Sequence, residues 1–148
     1  MIVIRNATAA DEKAWRRLWS RYVAFYEADV PAAVTDVTWR RVLDSGVPLA
    51  CRLAEMDDGI IAGFSICVHH LGTWTGAPVC YLEDLFVDPP ARAAGVGTAL
   101  IQDLIDRGRA LGWSHLYWHT RASNATARRL YDKFAAADDF VRYRLFLD

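Results

Sequence analysis

The sequence predicts an α/β fold of the α+β kind: a mixed, mostly antiparallel central sheet flanked by helices, in the order β-α-α-β-β-β-α-β-α-β. Three observations predict it. Apolar residues recur at helical spacing between residues 8 and 45. The period shortens to that of strands between residues 49 and 88. Helix and strand patterns then alternate to the end. At 148 residues the chain suits a single domain, residues 1–148, and its 53% of hydrophobic residues allow a real core without metals or disulfides.

Each element has its own signal. Ile2 to Arg5 reads as a short first strand. "TAADEKAWRRLWSRYVAFYEAD" reads as a helix, with Thr8 and Asp11 as a capping box. Its buried face is marked by Trp15, Leu18, Trp19, Tyr22, Val23 and Tyr26, and Pro31 ends it. "VTDVTWRRVLDSG" is a second helix, stopped at Gly46. "LACRLAEM", the turn "DDG" and "IIAGFSICVHH" form a hairpin, and "VCYLEDLFVD" adds a third consecutive strand. A helix follows, with Val96, Leu100, Ile101, Leu104, Ile105 and Leu111 on one face. "HLYWHT" reads as a strand, "SNATARRLYDKFAA" as a helix capped by Ser123 or Asn124, and "FVRYRLFL" as a last strand.

Composition narrows the function. A net charge of −1 argues against general nucleic-acid or membrane-surface binding, which calls for a basic excess. The start "MIVIRNATAADE" has too short an apolar run for a signal peptide, and no 18-residue apolar stretch exists for a membrane span. Cys51, Cys67 and Cys80 sit in apolar runs without CxxC spacing, which reads as buried free thiols in a reducing, cytoplasmic setting. The four histidines have no metal-ligand spacing, so no metal is expected.

The informative stretch is "YLEDLFVDPPARAAGVGTALIQDLI", residues 81–105. Two acids lie inside an apolar strand, which ends at a double proline. An arginine and two glycines then open a helix. Helix N-termini carry unpaired N–H groups and partial positive charge, and an anion placed there satisfies both. Glycine lets a bulky ligand approach the backbone. The loop has no Gly-Lys-Ser/Thr ending and no third glycine, so it is neither a P-loop nor a dinucleotide fingerprint.

R-x-x-G-x-G directly after "YLEDLFVDP" resembles the acetyl-CoA signature of the GNAT superfamily of N-acetyltransferases, and "N-A-x-A-R-R-L-Y" at 124–131 resembles its next helix. The resemblance covers nearly the whole chain. It is nearest to the diamine acetyltransferases and the yeast histone-and-polyamine acetyltransferase subgroup, which share the "YLED" strand. It implies a GNAT fold and acetyl transfer from acetyl-CoA to a small-molecule amine, polyamine or amino-acid-like, with a protein amine or a non-catalytic acyl-CoA sensor as alternatives. It also implies a homodimer.

The resemblance assigns roles. Loop residues Arg92, Ala93, Ala94, Gly95, Val96, Gly97 and Thr98 would bind the CoA pyrophosphate. The backbone of Leu85, Phe86 and Val87 would follow the pantetheine arm, with Asn124 near it. Tyr131 is the expected acid for the leaving thiolate, and Glu83 the expected base, through a water. Strand alternation puts Asp84 on the face opposite Glu83, with a substrate or structural role. Tyr26, Glu27, Trp118 and His119 are candidates for the acceptor site, with core packing favoured for Tyr26, a satisfied core or edge histidine favoured for His119, and a solvated loop equally open for Glu27. The family often has a glycine after the tyrosine helix. "DKFAAADDF" has none, so the register of the last hairpin stays open.

Overall fold

The computed structural model describes residues 1–147. The chain falls into two compact units, Met1–Trp118 and His119–Asp148. The first contains β1 (Val3–Asn6), α1 (Glu12–Phe25), α2 (Ala32–Leu43), β2 (Leu49–Glu55), β3 (Ile61–His70), β4 (Val79–Val87), α3 (Val96–Leu111) and β5 (Leu116–Tyr117). The second contains α4 (Ala125–Tyr131).

The sheet runs β1-β2-β3-β4-β5 in space. The first three pairings are antiparallel, and β4 with β5 is parallel. The sheet is thus mixed and mostly antiparallel, as the sequence predicts.

Helices cover both faces of the sheet. On one, Trp15 and Leu18 of α1 and Trp39 of α2 pack with Cys51, Leu53, Phe64, Ile66 and Phe86. Trp15 stacks on Trp19 and on Trp39, with centroids 5.1 Å apart in both pairs, which joins the two helices. Fully buried side chains of this size each stabilise by roughly 1.5–3 kcal/mol. On the other face, Val96 and Leu100 of α3 meet Ala54 and Ala62, while Leu104 meets Cys67, Cys80 and Leu82. Arg52 reaches Asp103 at 2.9 and 2.8 Å and ties β2 to α3.

Local signals explain the boundaries. Asp11 accepts from the Thr8 backbone N–H at 2.8 Å and from its hydroxyl at 3.0 Å, while Arg5 clamps the same carboxylate. That cap sits on a short 3-10 turn, Ala9–Asp11, so α1 starts at Glu12. Pro31 opens α2 as its N-cap as well as closing the preceding segment. Gly112, at φ 76°, closes α3 in the left-handed region.

Three expectations are corrected. The strand expected over "HLYWHT" is confined to Leu116–Tyr117, and the last helix to Ala125–Tyr131. The final strand expected over "FVRYRLFL" is not formed: residues 140–147 carry no regular structure and are exposed. An alternating pattern supplies the faces of a strand, but only a partner supplies its hydrogen bonds. Among the described residues no strand pairs with this segment.

Candidate active site

The site centres on β4 and the loop that follows it. Along β3 and β4, Ile66 faces Asp84, yet the next residue of β3, Cys67, faces Leu82. Glu83 is therefore an extra residue, a β-bulge, and it is exposed. The bulge flips the alternation. Leu82 lies against α3, whereas Asp84 and Phe86 turn to the α1 face. The even alternation read from the sequence is broken here by the bulge: Glu83 is the exposed residue of the pair and Asp84 the one held by Tyr22.

Asp84 is enclosed. The Tyr22 hydroxyl donates to it at 2.8 Å. Burial, and then the charge of Glu83, push its carboxyl up to about 6, although the Tyr22 bond acts the other way. Burial and the neighbouring Asp84 charge raise the Tyr22 phenol. The helical spacing of Tyr22 marks it as a core residue, and nothing in that spacing signals its bond to Asp84. Tyr26 sits one turn on, edge-to-face with Tyr22 at 5.2 Å. Glu27 follows, exposed and in the left-handed region at φ 51°.

Among the described residues, β4 has no strand partner on its outer edge past Tyr81, because β5 pairs with Cys80 and Tyr81. Leu85, Phe86 and Val87 thus present an unladdered edge. Leu85 and Val87 pack toward α3, and Phe86 is buried on the α1 face. Trp118, the last residue of the first unit, is half-buried against the Cys67, Cys80, Leu82 and Leu104 cluster.

The loop opens with the turn Pro89–Ala91, and two residues then take left-handed backbone, Ala93 at φ 67° and Gly95 at φ 85°. For alanine this costs roughly 1–2 kcal/mol. Left-handed residues of this kind are a component of backbone concavities that take anions. The first helical bond runs from Ala99 N–H to the Gly95 carbonyl at 3.0 Å. Among the described residues, no backbone carbonyl takes the N–H of Ala93, Gly95, Val96, Gly97 or Thr98. A Cβ placed on Gly95 would meet no atom within 4 Å, so open space lies there. Arg92 extends from the loop with Nε 3.4 Å from the Val87 carbonyl. A row of free donors, open space and a flanking guanidinium fit a diphosphate.

In the second unit, Asn124 caps α4: its side chain accepts from the Ala127 N–H at 3.2 Å. Tyr131 is the last residue of that helix, and His119 is exposed at the unit's start. Among the described residues, no group of three or more His, Cys, Asp or Glu is placed to hold a metal ion.

Also unread in the sequence was the neighbourhood of Asp88. This buried carboxylate takes Arg17 at 3.2 Å and Arg21 at 2.6 Å. Arg17, Arg21 and Phe25 recur every fourth residue on α1, a stripe beside Leu18, Tyr22 and Tyr26. That spacing was the available signal.

A bulged strand, an open strand edge and a helix start with unpaired donors form one candidate site for a diphosphate-bearing ligand. The profile of the Acetyltransferase (GNAT) family matches residues 12–136, and the chain belongs to that family. It is an N-acetyltransferase of the acetyl-CoA-using kind. It is 36% identical over 144 residues to the D-amino-acid N-acetyltransferase HPA3 of Saccharomyces cerevisiae, covering 97% of this chain and 89% of that protein. It is 33% identical over 87 residues to a thialysine N-epsilon-acetyltransferase of Mus musculus, covering 59% of this chain and 50% of that one. Its fold matches AAC(6')-Iy, solved with a CoA-containing bisubstrate analogue, at TM-score 0.82, 22% identity and 99% coverage of both chains.

Proposed function

We propose that this protein, acting as one functional domain over residues 1–148, transfers the acetyl group of acetyl-CoA to a primary amine of a small molecule, amino-acid-like or polyamine. The observation that carries the reading is the set of N–H groups at residues 93 and 95–98 that no backbone carbonyl takes among the described residues, following a strand whose outer edge is open past Tyr81. The D-amino acid and thialysine named for the two relatives support a small amine as acceptor.

The residues act as follows. Acetyl-CoA supplies the acetyl group as a thioester. The N–H groups of Ala93, Gly95, Val96, Gly97 and Thr98, with Arg92 and the Ala94 backbone, hold the diphosphate. Backbone groups of Leu85, Phe86 and Val87 run beside the pantetheine arm, and Asn124 adds a contact near it. Glu83, exposed at the bulge, takes the proton from the acceptor ammonium through a water. Asp84 gives the amine a negative partner, with Tyr26, Glu27, Trp118 and His119 around the acceptor. Tyr131 donates a proton to the leaving thiolate. The match of "N-A-x-A-R-R-L-Y" to the family helix supports that last role.

The proposal includes a homodimer in the cytoplasm. Val141, Tyr143 and Leu145 are 75, 94 and 83% exposed on an alternating segment, which suits burial against a second copy. The three free thiols suit a reducing compartment. Light scattering at micromolar concentration is expected to return twice the chain mass, and the mass of one chain would defeat the dimer. The activity itself is tested by amine-dependent release of free thiol from acetyl-CoA, with D-amino acids, polyamines and a lysine peptide as acceptors.

A further inference from the structure

The enclosed carboxylates of this chain are not balanced in the same way. Asp11 is met by Arg5 at 2.8 Å, Asp88 by Arg17 at 3.2 Å and Arg21 at 2.6 Å, and Asp103 by Arg52 at 2.8 Å. A carboxylate taken out of water is costly without such a partner. Asp84 is met instead by a neutral group, the Tyr22 hydroxyl at 2.8 Å. Among the described residues no cationic group lies within ion-pair distance of it.

Element by element, nothing around Asp84 is positive. On α1 stand Tyr22 and, edge-to-face with it at 5.2 Å, Tyr26. On β4 stands Glu83, whose charge raises Asp84 further. On β2 stands Cys51, whose thiol is raised by burial and then by Asp84 and so stays neutral. The residue opposite on β3 is Ile66. The Tyr22 ring is packed against Trp19, Phe64 and Phe86, with centroids 5.5, 5.7 and 5.7 Å away, which fixes where its hydroxyl points. Burial and Asp84 raise that phenol, so it keeps its proton and can only donate to the carboxylate. One oxygen, Oδ1, is thereby committed. Among the described residues Oδ2 accepts no bond, and it is not one of the side-chain atoms buried without a partner, so it reaches accessible space.

We propose that Tyr22 is a positioning residue for the acceptor: it holds Asp84 Oδ1 so that Oδ2 receives the amine as its ammonium, and the pair selects strongly basic alkyl amines over amines that carry no charge at neutral pH. This rests on the reading of Glu83 and Asp84 as the acceptor side of an acetyl-transfer site. The bond has a second effect. Burial and Glu83 raise Asp84 to about 6, and the Tyr22 bond restrains that rise because it favours the charged form. Without the hydroxyl the carboxyl keeps its proton to higher pH, where it no longer offers a full charge to the ammonium. Tyr22 touches no reacting atom and acts through Asp84.

The test is steady-state kinetics from about pH 5 to 9 on the parent, Tyr22→Phe, Asp84→Asn and the double variant, with spermidine, D-alanine and a lysine peptide as acceptors. Near neutral pH, Tyr22→Phe is expected to raise KM for the amine about tenfold or more, the scale of a lost hydrogen bond to a charged group, with kcat changed less than about threefold. The acid limb of kcat/KM, which reports the free enzyme, is expected to move to higher pH. Asp84→Asn is expected to raise KM as well, and adding Tyr22→Phe to it should cost less than about twofold more. A packing defect would cost the same in both backgrounds and leave the acid limb in place. The ring is retained in Tyr22→Phe, so its contacts with Trp19, Phe64 and Phe86 persist and the variant should fold. An unchanged KM in Tyr22→Phe, an equal cost with and without Asp84, or an acid limb that does not move would overturn the assignment. A parent that acetylates none of the three amines would overturn the acetyl-transfer reading itself, and with it this one.

Discussion

The Tyr22 hydroxyl meets Asp84 Oδ1 at 2.8 Å, joining α1 to the strand residue just past the bulge. Burial outweighs that bond and holds Asp84 at about 6, above its ordinary 3.8. The folded chain therefore binds this proton more tightly than the unfolded chain does. The contribution to stability is full below about pH 4 and is lost as pH rises through about 6. Asp84→Asn keeps an oxygen for Tyr22 and never ionises. It is expected to exceed the parent by about 1–3 kcal/mol above pH 6 and to equal it near pH 4. Asp11, held at about 2 by Arg5, changes only at lower pH and does not blur this window. Thermal unfolding across pH measures the difference; a variant weaker than the parent at neutral pH would remove the costly carboxylate from the account.

Gly97 separates stability from binding. It is the second residue of α3, where glycine is a poor helix former. Gly97→Leu is expected to leave the melting temperature equal or higher, yet to weaken acetyl-CoA binding by about tenfold or more, because the side chain fills space needed by the diphosphate. Calorimetry on the folded variant decides, and unchanged affinity would take the loop out of the cofactor site.

The two proton transfers leave different signatures. Tyr131→Phe removes only the hydroxyl and is expected to lower turnover by roughly 10²–10⁴, with acetyl-CoA affinity nearly unchanged. Glu83→Gln is expected to slow the reaction most at low pH, where the amine most needs a base, and to recover in part as pH rises. The pair of pH–rate profiles distinguishes the roles. Full turnover in Tyr131→Phe would show that another group protonates the sulfur.

These residues differ in how legible they were. The core faces of α1 and α3 follow from spacing, and Trp15, Leu18, Leu100 and Leu104 are buried as their period requires. Leu111, read onto the same α3 face, is 56% exposed because the helix ends there. The loop's glycines and arginine were visible as a motif, since backbone approach demands those residue types. The bulge at Glu83 was not visible, because register is a property of β3 and β4 together and "YLEDLFV" alone reads as even alternation. Tyr22 and Asp84 lie 62 residues apart, and no local pattern pairs them. The segment over residues 140–147 shows the converse: a clear strand pattern, with no strand formed.

The central claim is acetyl transfer to an amine, and the stoichiometry of that transfer tests it most directly. Purified protein is incubated with acetyl-CoA and each amine of the panel, and free thiol and N-acetylated product are measured together. One thiol is expected for each acetylated amine, for at least one small amine, and with little thiol released when the amine is left out. Tight binding of acetyl-CoA with no amine-dependent thiol from any acceptor would contradict the account and leave an acyl-CoA-binding protein that does not catalyse transfer.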